Sequence, residues 1–465
     1  MTTKMRTQHL TNESILINDV NGVNEMSFQQ YQIKRGNKHS KQPCKDKDTR
    51  VSKCKKHGKV CPVSAHAASL CARREVERLF VGSSIFKSST NADGKSENLL
   101  QRATINIKDS DIGSILGKGG FCVVRMATIK KGGQRDRIVA QKEEGGEYVS
   151  SSAALKVHLL ETEQTQYALK ALSRNVMVKK REFKLGAADL ATEAHFLSVL
   201  QHPHIIKLHG VSDEGSEKGF ASGLPNGFFL LLDILHATLE ERIFTWKRQS
   251  LKYKGIVYRN VHDFRKHKRR AMLNERLHHA ADLADAMQYL HSRRIIYRDL
   301  KPDNIGYDSQ GVLKLFDFGL AMELRNHERN IEGTYELSGN TGSRRYMSPE
   351  VALSKPYDER VDVYSFGIVL HEISSMEKPF EGWSCTTHKE LAVQAKVRPY
   401  IKHPKGKHSF WPSELVDLIK ACWDHDMSKR PDFDSITNVL DKICGDIERQ
   451  DGKVVVTDSN FYPKE

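Results

Sequence analysis

The sequence predicts an α+β chain, strands and a helix first and a mainly helical part after them, long enough for two lobes with extensions. Three observations predict it. The 465 residues, 38% of them hydrophobic, suffice for such a domain with extensions. A Gly-rich turn with hairpin patterning (115–127) and two alternating stretches (153–160 and 167–172) read as strands, followed by one helical stretch, DLATEAHFLSVL. Further on, Leu273, Leu277, Ala280, Leu283, Ala284, Met287 and Leu290 recur at the spacing of one helix face over about 273–291.

Taken in order, residues 1–108 form a basic extension. They are polar and poor in aromatics, residues 1–100 carrying a net charge of about +9, and most of them are expected to be disordered or loosely helical. Cys44, Cys54, Cys61 and Cys71, with His57 and His66, contain no CxxC pair, so unpaired thiols are expected there in place of a zinc site. The N-terminus lacks the apolar run of a signal peptide, and no run of about 18 apolar residues marks a membrane span. Scattered cysteines suit a reducing, intracellular compartment. The globular domain is expected over 109–447, with insertions near 128–152 and 242–270, and a polar tail follows at 448–465. The second insertion carries about +10, from eleven basic residues against one acidic. The net charge of +15 therefore belongs to appendages, and nucleic acid is not expected as a partner. Partners of the extension are unknown. The cluster FRKHKRRAM (264–272) is a candidate nuclear localisation signal, so a cytoplasmic location with access to the nucleus is expected.

Four motifs carry chemistry. In ILGKGGFCVVRMA, Gly117, Gly119 and Val124 fit a G-x-G-x-x-G-x-V turn, with Cys122 at the third glycine position. Glycines let backbone amides approach phosphate oxygens. Two strand lysines, Lys156 and Lys170, follow an Ala-Leu pair. Glu193 lies 23 residues after Lys170 and 37 after Lys156, and one connecting loop fits only the shorter spacing, which favours Lys170. In YRDLKPDN, Asp299 and Asn304 are five apart: a carboxylate can orient a hydroxyl and accept its proton, and an amide oxygen can bind Mg²⁺. Thirteen residues later, LKLFDFGLA supplies Asp317, a hard oxygen ligand suited to Mg²⁺.

These motifs, in this order, resemble a eukaryotic-type protein kinase domain over about 109–447. Further markers agree: GSRRYMSPE (342–350), DVYSFGIVLHEI (362–373) and CWDHDMSKRPDF (422–433). The wording is similar to the tyrosine-kinase-like group, which is mostly serine/threonine-specific. The resemblance implies a bilobal protein kinase fold, with a small β-rich lobe carrying one key helix and a larger, mainly helical lobe, and transfer of the ATP γ-phosphate to Ser or Thr hydroxyls of protein substrates. It assigns catalysis to Asp299, Lys301 and Lys170, and Mg²⁺ to Asn304 and Asp317. It assigns ATP binding to Leu116, Gly117, Lys118, Gly119, Val124, Ala168, Lys170 and Glu193, with Asp233 and Leu235 in the hinge after Leu232. It also implies that Asp362 braces the catalytic loop, that Glu350 pairs with Arg430, and that Ser343 faces Asp299 and Lys301. Arg298 implies control by phosphate on the activation segment, where Ser338 and Thr341 are the expected acceptors.

Two other functions compete: a pseudokinase scaffold and a dual-specificity kinase. Scaffolds generally lose a part needed for transfer, whereas Lys170, Glu193, Asp299, Lys301, Asn304 and Asp317 are all present. The departures are Cys122, Tyr297 in place of the loop's usual His, and Ser348. Tyr297 is expected to pack under Phe318, with a partner for its hydroxyl.

Overall fold

Six strands pair in the order β1-β5-β6-β4-β3-β2. They are β1 (Ala103–Ile105), β2 (Ser110–Lys118), β3 (Cys122–Ile129), β4 (Gln166–Leu172), β5 (Leu208–Ser212) and β6 (Phe229–Leu232). The computed structural model describes residues 60–86, 103–129, 166–252, 262–401 and 411–451. Lys156, most of the insertion at 128–152, the sequence around Cys44, Cys54 and His57, and the tail beyond 451 lie outside the described residues.

The Gly-rich stretch is the turn between β2 and β3, closed by Gly119 N donating to Cys122 O at 2.9 Å. Next in sheet order, β3 pairs with β4, placing Val124 opposite Lys170. β4 and β6 run through the middle of the sheet, so every residue of FLLL is buried, as both faces of a covered strand require. Ala168 sits opposite Leu232 across that pair.

Four more helices frame the structure, beside α1 (Pro62–Phe80) and α2 (Lys180–Val199). α2 is the one key helix expected of the small lobe. It carries alanines at 187, 188, 191 and 194, strong helix formers whose small side chains let it lie close to the sheet. α3 (Leu239–Lys252) and α4 (His262–Ser292) open the large lobe. All seven residues of the expected α4 stripe are fully buried. α5 (Arg360–Ser375) is buried all round, every residue from Val361 to Ser374, so it forms the centre of this lobe. The closing helix Phe433–Asp451 lies along α4. Among the described residues, no helix is long and apolar enough to cross a membrane.

Two expectations need correction. The insertion at 242–270 is largely helical: α3 extends through Lys252, and α4 begins at His262, eleven residues before the apolar stripe. Lys and Arg are good helix formers, and no Gly or Pro interrupts His262–Ser292, so the basic run simply lengthens α4. Within the extension expected to be loose, Pro62–Phe80 is a helix of 19 residues packed on α2. Its buried residues are Ser64, Ala65, Ala68, Ser69, Ala72 and, near its end, Leu79, so the repeated large apolar residues that advertise an amphipathic helix are missing.

The expected pair of Glu350 and Arg430 is present and bidentate, at 2.6 and 3.0 Å. Arg430 also donates to Arg360 O and Asp424 O. Removing one partner of a pair so buried costs about 3–5 kcal/mol.

Candidate active site

Lys170, on β4, is 9% exposed. Its ammonium lies 2.6 Å from Glu193 Oε2 on α2 and 3.0 Å from Asp317 Oδ1. Burial works against the Lys170 charge, but Asp317 and Glu193 more than offset it and raise its pKa. Burial likewise opposes the charge on Asp317, yet Lys170 wins and its carboxyl lies below the usual range. Both groups thus stay ionised at neutral pH. The stabilisation from Asp317 is lost on acidification through its lowered pKa; that from Lys170 is lost on alkalinisation through its raised one. The side chain of Asp317 is 46% exposed, with room to take an additional ligand.

The catalytic-loop residues converge a few residues away. Asp299 is 5% exposed and accepts three hydrogen bonds. Its Oδ2 accepts from Lys301 Nζ at 2.8 Å and from Asn304 Nδ2 at 3.0 Å, and its Oδ1 accepts from Ser343 N at 2.7 Å. Lys301 also donates to Ser343 Oγ at 2.9 Å. Burial disfavours the Lys301 ammonium, but Asp299 restores it and raises its pKa. Gly342 makes the approach of the segment possible: its φ is +94°, and a Cβ there would stand 2.2 Å from Arg298 O.

The loop is pinned from below. Asp362 of α5, fully buried, accepts from Tyr297 N and Arg298 N, both at 2.8 Å, and from His291 Nε2 at 3.1 Å. Arg298 and Asp317 both adopt left-handed backbone, at φ 68° and 70°, a cost the surrounding contacts must offset. The ring of Tyr297 meets Phe318 edge to face at 5.2 Å, and its hydroxyl donates to Phe316 O. Burial pushes its pKa well up, so the hydroxyl keeps its proton and remains a donor. The side chain that departs from the usual motif is therefore a satisfied packing residue.

The glycine turn leaves a cradle. A Cβ on Gly117 or Gly120 would meet nothing within 4 Å, and one on Gly119 only Cys122 O at 3.9 Å. Protein atoms do not fill the space beside these amides, which fits phosphate oxygens. Leu116 is 40% exposed at its edge, with Lys118 beside it, and Val124 packs on the core. Cys122 is held as a neutral thiol, burial pushing its pKa up to about 12. Asp317 carboxylate and Asn304 amide oxygens form a hard donor set that fits Mg²⁺ completed by water and phosphate.

In the linker after β6, the side chain of Asp233 is engaged with Lys207 N at 3.0 Å and His209 Nε2 at 2.7 Å, a role the sequence did not show. Leu235 packs over Gly306, where a Cβ would come 2.7 Å from its Cδ1. Another contact the sequence left open is that of Arg298. Its Nε donates to Leu320 O at 2.7 Å and its Nη1 to Ser338 Oγ at 3.2 Å. Thr341 Oγ1 in turn donates to Ser338 O at 3.0 Å.

Known proteins match this arrangement. The family model of the protein kinase domain matches residues 146–440, well over half of the chain. The hairpin of β2 and β3 lies ahead of that match, and only its pairing with β4 places it in the site. Among curated proteins, Serine/threonine-protein kinase STY46 of Arabidopsis thaliana is 38% identical over 168 residues, 36% of this chain and 27% of its own. Serine/threonine/tyrosine-protein kinase HT1 of the same plant is 39% identical over 163 residues, 35% of this chain and 38% of its own. Dual specificity protein kinase shkB of Dictyostelium discoideum is 36% identical over 160 residues, 34% of this chain and 23% of its own. This chain thus spans between 23% and 38% of the length of these relatives. With the Lys170–Glu193–Asp317 cluster and the Asp299 loop in place, and the family match running through both lobes, the chain belongs to the protein kinase domain family.

Proposed function

We propose that the chain is an ATP-dependent protein kinase of the tyrosine-kinase-like type that phosphorylates Ser and Thr hydroxyls. The observation that carries this reading is the geometry around Asp299. Its carboxylate is oriented by Lys301, Asn304 and Ser343 N, and Lys301 reaches Ser343 Oγ. A lysine two residues after the catalytic Asp, tied to a hydroxyl of the activation segment, is the serine/threonine pattern.

In this mechanism Asp299 receives the substrate hydroxyl and accepts its proton as the oxygen attacks the γ-phosphorus in line. Lys301 offsets charge on the transferred group, and Lys170, steadied by Glu193, offsets charge on the α- and β-phosphates. The Gly-rich turn of Gly117, Lys118 and Gly119 cradles the phosphates under Leu116 and Val124. Ala168, Asp233 and Leu235 receive the adenine. Bound by Asn304 and Asp317, Mg²⁺ supplies charge neutralisation for the phosphates. Catalysis is then placement and electrostatics. A positional-scanning peptide array with Ser, Thr or Tyr as acceptor tests the reading. Labelling of Ser and Thr peptides with Tyr at background is expected; equal Tyr labelling would establish dual specificity, which the names of HT1 and shkB give to those relatives. No labelling of any peptide would overturn the reading in favour of a scaffold.

Ser338 is the proposed phosphate acceptor of the activation segment, because the Arg298 guanidinium already meets its hydroxyl. A phosphate there gains charge-assisted bonds. Phosphate mapping of active protein is expected to find it at Ser338, and full activity of unmodified protein would dismiss it. The proposed location is cytoplasmic.

A further inference from the structure

α1 and the turn after it lie outside the family match, yet they touch both α2 and the segment that follows Asp317. Along its length it packs on α2 and on the short helix Gly215–Ala221, where Ser69 Oγ donates to Glu217 O at 2.8 Å. At its end, Phe80 meets His195 edge-on at 5.8 Å, and Phe86 meets Phe196 at 5.3 Å, both partners on α2. His195 and Phe196 directly follow Glu193 and Ala194, so the phenylalanines grip α2 at the turn that carries the partner of Lys170.

The same segment then reaches the chain leaving Asp317. Five residues after that Asp, β8 (Met322–Glu323) begins and pairs with β7 (Ile295–Ile296), which leads into the catalytic loop. Glu323 is 4% exposed. Its carboxylate accepts from Ser83 Oγ, from Ser84 N at 2.8 Å and from Ser84 Oγ at 2.7 Å. Ser83 Oγ also accepts from Ile85 N and from Phe86 N, so the turn 83–86 is built around this carboxylate. Arg325 Nη2 adds bonds to Arg78 O and Leu79 O, the last carbonyls of α1. Gly82 allows the close passage: its φ is +69°, and a Cβ there would meet His327 Cε1 at 2.8 Å.

We propose that residues 62–86 are a built-in brace that positions Glu193 and Asp317 around Lys170, with Glu323 as the positioning residue that joins the brace to the activation segment. A buried carboxylate stripped of its donors carries a large penalty, so the joint is either made or broken, with little room to stretch. Made, it fixes α2 and β8 relative to each other through one segment. Broken, it frees α2 to carry Glu193 away from Lys170. The activity arm of the test rests on the proposed kinase function; the structural arm does not.

The experiment uses the full chain, as wild type, as Ser83→Ala/Ser84→Ala, and as that double variant with Glu323→Met. Amide hydrogen exchange is read over 80–86, 180–199, 317–325 and 360–375, with phosphate transfer at varied ATP. The double variant is expected to exchange about tenfold faster over 80–86, 180–199 and 317–325, the scale of losing hydrogen bonds to a charged group. Exchange in α5 stays unchanged, and KM for ATP rises by a similar factor. Adding Glu323→Met removes the unpaired charge, so thermal stability returns while exchange over 180–199 and KM do not. Faster exchange confined to 80–86, no change anywhere, or recovery of exchange and KM together with stability in the triple variant would each overturn the brace. If wild type transfers no phosphate, the kinase reading fails, and exchange over 180–199 still decides the brace.

Discussion

Lys170→Met is expected to lower the transfer rate by about 10³-fold, the scale of removing one preorganised charge from a transition state. The structure gives the reason. The Lys170 ammonium is the common partner of Glu193 and Asp317, at 2.6 and 3.0 Å, and Met supplies bulk without charge. The substitution also leaves Glu193, 1% exposed, as a buried carboxylate without its cation. A loss of about 3–5 kcal/mol, or several degrees of melting temperature, is expected with it. The two effects separate in the double variant Lys170→Met/Glu193→Gln. Melting is expected to recover there, because the one carboxylate still without Lys170, Asp317, is 46% exposed at its side chain, while transfer stays lost. Differential scanning fluorimetry beside a steady-state assay reads both. Recovery of activity along with stability would show that Lys170 serves only the fold.

How much of this was legible in the sequence depends on the range of each interaction. Asp299, Lys301 and Asn304 lie within one loop, so their spacing alone brought them together, and the structure joins them by direct hydrogen bonds. The choice of Lys170 over Lys156 came from the distance along the chain to Glu193, and the 2.8 Å bond between Lys170 and Glu193 agrees with it. The α4 stripe was legible because large apolar residues mark its buried face. α1 was hidden for the opposite reason. Alanine and serine bury as completely there, but they give no hydrophobic signal, and the helix exists by packing on α2. The bonds of Ser83 and Ser84 to Glu323 span about 240 residues, and no local pattern encodes them. Tyr297 looked like a defect of the motif. Its partner, Phe316 O, is contributed by another segment, so only the fold shows the hydroxyl to be satisfied.

Asp299→Asn carries the second large effect. Asn has the same shape, so the chain is expected to fold and to retain nucleotide binding. The chemistry is lost for two reasons. An amide cannot accept the proton of the substrate hydroxyl, and its NH₂ group opposes one of the three donors now aimed at the carboxylate: Lys301, Asn304 or Ser343 N. General-base catalysis contributes about 10²–10⁴-fold, and loss of orientation adds to it. The direct measurement is transfer of label from γ-labelled ATP to a Ser/Thr peptide by wild type and Asp299→Asn side by side. The account predicts clear incorporation by wild type and background by the variant; equal incorporation by both would contradict it.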